Sequence, residues 1–200
     1  MAAEPLTGLM PIKNRGALAT SPARTAALDI IEAGINRVLP SAIMEASLAY
    51  DAAAGVLRVQ SDAYPVSGGR IFVAGGGKAA GLMAVALEAI VPPEKITAGV
   101  VTDKGGGYAV QKIKVITAGH PLPDLRGVRG VREMLRLRAR YDIGANDLVL
   151  ALLSGGGSAL LPYPVRGVTL ADKQRATELL LSSGAGIAEV NTVRKHLSRV

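Results

Sequence analysis

Two glycine-rich turns contain the residues of this chain that are best suited to hold a phosphate group. The first is Gly75-Gly-Gly77, followed directly by Lys78, and the second is Ser154-Gly-Gly-Gly-Ser158. Each turn follows an apolar run and leads into a helix-like segment. Glycine lets the backbone approach a ligand closely, and the first N–H groups of a helix attract an anion. The phosphate-binding residues predicted from this pattern are Gly75, Gly76, Gly77, Ser154, Gly155, Gly156, Gly157 and Ser158.

The side chain of Lys78 is the candidate for the chemistry itself. A lysine at the start of a helix is unfavourable beside the positive end of the helix dipole, and a bound anion removes that conflict. The turn is not a Walker A loop, because Ala79 stands where a serine or threonine should follow the lysine. Two simpler interpretations stay open: Lys78 faces solvent, and the second turn is a flexible connector.

The first turn also meets the looser form of the dinucleotide-binding fingerprint. It reads Gly75-x-Gly77-x-x-Ala80, and Glu94 only weakly fills the acidic position expected about 20 residues further on. A bare match of this kind is unspecific. It keeps a nicotinamide-dependent enzyme open as an alternative.

Two further segments carry polar residues suited to substrate recognition. His120 and Asp124 lie in a loop fixed by two prolines, where they suit recognition of a hydroxyl or carboxylate, or acid–base chemistry. Polar and basic side chains crowd a second segment, which contains Asn191, Arg194 and Lys195 and is either an anion clamp or an exposed helix end. The spacing of the histidines predicts no metal site.

Composition narrows the class of protein. The 200 residues are 49% hydrophobic and only 20% charged, which is typical of a domain that buries a sheet on both faces. The absence of cysteine excludes disulfides and thiolate metal sites. We find no signal peptide in the first thirty residues and no uninterrupted membrane span, so the cytoplasm is the default compartment.

The net charge of +7 raises the question of an anionic macromolecular partner. Much of the charge lies in an amphipathic helix predicted over 127–141, and no aromatic residues accompany its arginines. We therefore favour a solvated basic face over a nucleic-acid interface. The arginines are Arg129, Arg132, Arg136 and Arg140, and the apolar residues predicted opposite them are Val128, Val131, Leu135 and Ala139.

Hydrophobic periodicity predicts an α/β fold with an open, mostly parallel Rossmann-like sheet and helices on both faces. Residues 1–20 show no period and are predicted to be a mobile lead, and a single domain is predicted over 21–200. Helices are predicted from Ser21 to about residue 38, then over 41–50, 78–90 and 127–141, after Thr169, and over 186–200. Strands are predicted over 56–60, 70–74, 97–102 and 112–117, and from residue 148.

Four motifs in this order resemble the glycerate 2-kinases of the MOFRL type. They are the first glycine turn with Lys78, the loop from His120 to Asp124, the second glycine turn, and the segment Asn-Thr-Val-Arg-Lys-His that begins at Asn191. The resemblance implies a Rossmann-like first domain and phosphoryl transfer from ATP, with Mg²⁺, to D-glycerate, giving 2-phosphoglycerate. It implies that Lys78 is catalytic and that the second turn is a phosphate loop. The residues that it places near the substrates are His120, Asp124, Asn191, Arg194 and Lys195.

The chain departs from the family in length. Members are two-domain chains about twice as long, and the catalytic arginine and aspartate motif of their second domain have no counterpart here. If these 200 residues are the whole protein, we expect no kinase activity from them alone. The open alternatives are an NAD(P)H-dependent hydroxypyruvate reductase and a non-catalytic nucleotide-binding fragment. The general base is either Asp124 or a carboxylate outside this sequence.

Overall fold

A computed structural model describes residues 11–200. Its principal sheet has four parallel strands in the order β6-β5-β4-β7. The strands are β1 (Leu48–Asp51), β2 (Val56–Val59), β3 (Asp62–Pro65), β4 (Ile71–Gly76), β5 (Ile96–Asp103), β6 (Ile113–Thr117) and β7 (Leu148–Leu153). The helices are α1 (Arg15–Leu18), α2 (Pro22–Arg37), α3 (Pro40–Ser47), α4 (Ala80–Ile90), α5 (Leu125–Tyr141), α6 (Gly157–Leu160), α7 (Leu170–Ser182) and α8 (Ile187–His196), with a 3₁₀ turn at Pro93–Lys95.

The parallel sheet is buried on both faces at its centre. Successive residues Ile71, Phe72 and Val73 of β4 are almost fully buried, as expected when helices cover both sides of a parallel sheet. On one face α4 packs against β5 and β7, and on the other α5 packs against β5 and β6. The predicted α/β fold with an open, mostly parallel sheet is confirmed.

Two apolar clusters lie on opposite faces of the parallel sheet. The larger contains Ile71, Val73 and Leu87 and lies under α4, while a smaller one contains Val100 and Leu137 under α5. Burying one such side chain contributes roughly 1.5–3 kcal/mol to folding. This packing fixes the four strands in register, so the carboxyl ends of β4, β5 and β7 meet at one edge.

A second sheet precedes the parallel one, and only its middle strand, β2, was predicted from the sequence. Strands β1, β2 and β3 form an antiparallel sheet in which Tyr50 pairs with Leu57. The helix predicted over 41–50 therefore ends at Ser47, and the prediction was wrong for its last residues. Alternating burial along β1 is the period of a strand, and it is too short to override the helical pattern before it.

Part of the segment predicted to be a mobile lead is helical. Residues 1–10, half of that predicted lead, lie outside the described residues. Within the other half, α1 contacts α2 because Arg15 forms ion pairs with Asp29 and Glu32. Ser21 begins α2 as predicted: its hydroxyl accepts a hydrogen bond from the N–H of Arg24 at 3.3 Å.

Helix α5 turns its apolar face differently from the prediction. Val128 and Val131 are buried, but Leu135 is 51% exposed and Ala139 is exposed. Leu137 is buried instead. The predicted residues follow the 3.6-residue period along one stripe of the helix, whereas the buried residues advance by three and so move roughly half a turn around the axis between Val128 and Leu137.

Candidate functional site

The two predicted glycine turns lie side by side at the carboxyl edge of the parallel sheet. The N–H of Lys78 donates to the carbonyl of Gly155 at 2.8 Å, and the N–H of Ala79 donates to the Ser154 hydroxyl at 3.1 Å. The N–H of Ser154 in turn donates to the carbonyl of Gly76 at 3.3 Å. The turns are therefore one hydrogen-bonded unit, held together by the pairing of β4 with β7.

Gly77 is required for this close approach. Its φ of +147° lies outside the range that L residues usually adopt, and a Cβ there would sit 2.1 Å from the Ser154 hydroxyl oxygen. A side chain at this position would separate the two turns. Gly77 therefore serves the contact between the turns.

The backbone of the first turn is occupied by protein acceptors. The N–H of Gly77 donates to the carbonyl of Thr102 at 3.1 Å, and those of Lys78 and Ala79 bond to the second turn. The N–H of Gly81, in the first turn of α4, donates to a carboxylate oxygen of Asp103 at 2.8 Å. The structure thus does not support the prediction that these amides receive phosphate. The positive end of α4 already faces a carboxylate.

Asp103 is a further site residue, one position beyond the strand predicted over 97–102. It is fully buried at the end of β5, and its other oxygen accepts hydrogen bonds from the Gly105 N–H at 2.7 Å and the Tyr108 hydroxyl at 2.9 Å. Burial, together with this bond to Asp103, raises the pKa of Tyr108 to about 12. An aspartate directly after a buried apolar strand and before glycines was the signal available in the sequence.

The second turn keeps its backbone donors free within the described residues. The N–H groups of residues 155–158 donate to no protein acceptor there, because the bonds of α6 begin at the N–H of Ala159. Gly156 has a φ of +92°. A Cβ on Gly156 would lie 3.0 Å from the His120 ring and 3.1 Å from Cγ of Lys78, so both side chains lie against this glycine. Lys78, His120 and the second turn are brought together as predicted.

The imidazole of His120 is exposed at this edge, yet its surroundings disfavour the charged form. Desolvation and the nearby cations Lys78, Lys104 and Arg194 lower the pKa of His120. Its ordinary pKa is about 6.5, so the ring is neutral at pH 7 and can accept a proton or a hydrogen bond.

Asp124 does not join this group. Its carboxylate caps α5, accepting from the Gly127 N–H at 3.0 Å, and also accepts from Nε of Arg126 at 2.7 Å. These bonds outweigh partial desolvation and lower the pKa of Asp124. With both oxygens engaged, Asp124 supports the helix rather than a substrate, and the role predicted for it is revised to a structural one.

Helix α8 brings the last predicted residues to the far end of the second turn. Asn191, Arg194 and Lys195 line a cavity of about 300 Å³ with Gly157 and Ser158 of that turn. Arg194 is half-buried, whereas Asn191 and Lys195 are exposed. The basic segment is thus one wall of a cavity rather than a free helix end.

The described residues do not fit a magnesium site of their own. In residues 11–200 no three carboxylate or histidine side chains cluster in a way that would hold a metal ion. Asp103 and Asp124 are the acidic residues at this edge, and hydrogen bonds from protein donors occupy the oxygens of both. Magnesium prefers carboxylate and phosphate oxygens, and the described part of the chain supplies no free carboxylate there.

The fold and this edge define a class: a doubly wound α/β domain with a cationic, glycine-lined site at the carboxyl ends of its parallel strands. Residues 26–200 match the family model described as "Domain of unknown function (DUF4147)", and the chain belongs to this family. The resemblance to the MOFRL-type glycerate 2-kinases is confirmed by relatives of that name.

Two relatives illustrate the range of names in the family. A glycerate 2-kinase from Pyrococcus horikoshii is 44% identical over 182 residues, covering 87% of this chain and 40% of the relative. A putative hydroxypyruvate reductase from Agrobacterium vitis is 42% identical over 132 residues, covering 66% of this chain and 30% of the relative. The chain therefore spans less than half the length of the relatives that it matches.

Solved structures agree with the fold. A crystal structure of a Pyrococcus horikoshii protein superposes with a TM-score of 0.78 at 38% identity, covering 89% of this chain and 39% of that one. A glycerate kinase from Thermotoga maritima superposes with a TM-score of 0.66 at 36% identity, covering 87% and 38%. Among residues 11–200, no helix combines the length and apolarity needed to cross a membrane.

Proposed function

We propose that this chain forms the nucleotide-side wall of a glycerate 2-kinase, which transfers a phosphoryl group from ATP to the C2 hydroxyl of D-glycerate and yields 2-phosphoglycerate. The observation that carries the proposal is the position of Lys78 against Gly156 of the second glycine turn, whose backbone donors are free within the described residues. The names of the glycerate kinase relatives support the choice of substrate.

Phosphoryl transfer requires positioning and neutralisation of charge more than covalent help from the protein. Lys78 is exposed and faces the second turn, where its ammonium group would approach the transferring phosphoryl oxygens. The N–H groups of residues 155–158 would donate to oxygens of the same polyphosphate. The first turn contributes by fixing Lys78, because its own amides bond to protein.

His120 is the group of this chain best placed to receive the proton of the glycerate hydroxyl. It lies against the same glycine as Lys78, and its pKa is lowered by desolvation and neighbouring cations, so the free imidazole predominates at pH 7. Asp124, one of the two bases considered from the sequence, has both oxygens engaged elsewhere. His120 replaces it in this proposal.

A hydroxypyruvate reductase is the second candidate, favoured by the name of the Agrobacterium relative. The geometry disfavours it. In a dinucleotide-binding fold the pyrophosphate sits on the free amides of the first glycine turn, and here those of Gly77, Lys78 and Ala79 bond to protein. NADH titrated into the chain should therefore give no binding heat under conditions where an ATP analogue does.

Calorimetry with ADP and a non-hydrolysable ATP analogue tests the proposal on this chain. We expect Lys78→Met to weaken analogue binding by about tenfold or more, because a charge-assisted contact with phosphate is lost. Lys95→Met is the matched control, since Lys95 is an exposed lysine that precedes β5 at the opposite edge of the sheet. Unchanged spectra by circular dichroism establish that both variants fold.

If the wild type and Lys78→Met bind the analogue with equal affinity, Lys78 does not contribute to nucleotide binding. For turnover, the chain is joined to the remaining length that its relatives have, and phosphorylation of D-glycerate is followed by ³¹P NMR. There we expect Lys78→Met to lower kcat by at least about 100-fold. NADH-dependent reduction of hydroxypyruvate without ATP-dependent phosphorylation would instead favour the reductase.

A further inference from the structure

Lys173 is a buried cation to which the proposed function gives no role. Lys173 lies in the first turn of α7 and is only 2% exposed. Burying an ammonium group is unfavourable unless it meets a negative partner, and lysine is among the residues least often fully buried. A cation near the start of a helix also opposes the helix dipole. Its position therefore needs a partner that outweighs both costs.

No such partner lies among residues 11–200. None of the ion pairs there involves Lys173 or Arg194, and no side-chain hydrogen bond of either residue is formed. Nε of Arg194 is fully buried without an acceptor. A buried lysine and a half-buried arginine thus lie near one another without a carboxylate partner among the described residues, which is costly for a protein interior.

The electrostatics of the pair favour an anion beside the two cations. Desolvation, followed by the positive charge of Arg194, lowers the pKa of Lys173, and burial lowers the pKa of Arg194. A bound anion would relieve both effects. No carboxylate offsets the charge of either cation within the described residues.

Both cations line the cavity of about 300 Å³ at the far end of the second glycine turn. Ser158 and Asn191 line it too, and they offer a hydroxyl and an amide beside the two cations. The cavity begins at Gly157, whereas Lys78 and His120 lie against Gly156. Two positively charged places therefore adjoin neighbouring residues of the same turn, and Arg194 lies close enough to His120 to act on its charge.

We propose that Lys173 and Arg194, with Ser158 and Asn191, form a second oxyanion subsite that holds a carboxylate or phosphate group while Lys78 meets the transferring phosphoryl group. This deepens the proposed kinase function and rests on it. The new element is Lys173, a buried binding residue contributed by α7. In a phosphoryl transfer from ATP to D-glycerate the oxyanion is either the glycerate carboxylate or a non-transferring phosphate of the nucleotide.

Inorganic phosphate, D-glycerate and ADP are titrated separately into the 200-residue chain and into Lys173→Met. Methionine keeps the length and apolar stem of lysine but removes its charge. We expect phosphate affinity to fall by about tenfold or more. Thermal unfolding in phosphate-free buffer supplies a second readout: the variant should melt higher than the wild type, since an unpaired buried charge is gone, and added phosphate should no longer raise its Tm.

The matched control is Arg175→Met, two residues further along α7. The Arg175 side chain is 69% exposed and, among residues 11–200, its ion pair is with Glu178 on the surface, so the variant should bind phosphate like the wild type. A response to D-glycerate that Lys173→Met abolishes assigns the subsite to the carboxylate, and such a response to ADP alone assigns it to the nucleotide. If Lys173→Met binds all three ligands as tightly as the wild type, the subsite is refuted.

The Lys78→Met variant separates this proposal from the proposed function. Loss of analogue binding in Lys78→Met, with full phosphate and glycerate binding in Lys173→Met, overturns the subsite and leaves the kinase proposal standing. Loss of ligand binding in both variants supports both the kinase proposal and the subsite. A lower Tm for Lys173→Met in phosphate-free buffer, with ligand binding retained, would show that Lys173 is structural and would also overturn the subsite.

Discussion

Gly156 is the residue on which the candidate site depends most directly. Its φ of +92° is unfavourable for any residue with a side chain, and a Cβ would press on His120 and Lys78 at about 3 Å. We expect Gly156→Ala to cost roughly 1–2 kcal/mol of stability through backbone strain and also to weaken nucleotide binding. Chemical denaturation and calorimetry measure the two effects.

Gly167→Ala separates strain from contact. Gly167 has a φ of +84°, but among the described residues no atom beyond its two chain neighbours lies within 4 Å of the place that its Cβ would take. This variant should lose similar stability yet bind the ATP analogue normally. Equal loss of binding in both variants would mean that strain alone, rather than displacement of His120 and Lys78, explains the effect.

The pair of Tyr108 and Asp103 predicts a distinct titration at high pH. Because burial and the bond to Asp103 raise the pKa of Tyr108 to about 12, the folded protein keeps this phenol protonated when free tyrosines have ionised near pH 10. The contribution of this raised pKa to the free energy of unfolding is fully present below pH 10 and is lost as the pH rises towards 12. Absorbance at the phenolate band follows it.

Tyr108→Phe should remove the highest-pH component of that titration and leave the signal of the other four tyrosines unchanged. If this component disappears from the titration curve, it belongs to Tyr108, and no second tyrosine has to be substituted. A titration in which Tyr108→Phe loses a component near pH 10 instead would contradict the buried hydrogen bond to Asp103.

At the scale of single residues, the sequence predicted the side chains that stand in chemically unusual places. Lys78 after three glycines and His120 between strand and proline were identified because their local sequence restricts the backbone. Asp124 was misjudged because an N-cap and a substrate-binding aspartate look alike without the helix that follows. Lys173 was missed, since burial of a lysine depends on how α7 and α8 pack, which no local pattern encodes.

Among the elements, Glu88 connects α4 to the start of β6. Its carboxylate accepts hydrogen bonds from the N–H groups of Gln111, Lys112 and Ile113 at 2.6, 2.8 and 2.9 Å. These donors precede or begin β6, so one carboxylate joins the start of that strand to α4. We expect Glu88→Gln to lower the free energy of unfolding by about 1–3 kcal/mol, measured by urea denaturation.

Glu133→Gln is the control at this scale. Glu133 also links a helix to β6, through Lys114, but the lysine side chain of that pair is 61% exposed. A surface pair contributes about 0–1 kcal/mol, so this variant should unfold close to the wild type. If both variants lose equal stability, charge rather than the backbone contacts of Glu88 accounts for the effect.

The elements of the parallel sheet were predictable because each strand is a buried apolar run followed by a turn or helix signal. The capping residues Ser21 and Thr169 also begin α2 and α7 as predicted, and Thr169 forms a capping box with Asp172. The outer strands of the antiparallel sheet escaped prediction for the opposite reason. Strand β3 is exposed at every residue and, in the part of the chain that the structure describes, pairs with β2 at the edge of the sheet, so its sequence lacks a hydrophobic signal.

At the scale of the whole molecule, one ion pair joins the amino ends of two central strands. Arg70 precedes β4 and Asp147 precedes β7, and the guanidinium donates to both carboxylate oxygens, from Nε at 2.9 Å and from a terminal nitrogen at 2.8 Å. The N–H groups of Arg70 and Gly144 donate to the same carboxylate. This pair lies at the edge of the sheet opposite the candidate site, where it holds β4 and β7 in register. The two glycine turns follow these strands, so their contact depends on the same register.

The same pair predicts how stability changes in acid. The Arg70 guanidinium and the Gly144 N–H hold the pKa of the Asp147 carboxyl well below its usual range near 4. A depressed carboxyl pKa stabilises the fold fully above pH 4, and this contribution is lost as the pH falls through the folded-state pKa. Asp147→Asn should therefore unfold more easily at pH 5–8, and its deficit relative to the wild type should shrink below pH 4. Urea denaturation of the wild type, Asp147→Asn, Arg70→Met and the double variant measures the coupling at each pH, and a coupling that is unchanged between pH 7 and pH 3 would show that charge plays no part in joining the two strands.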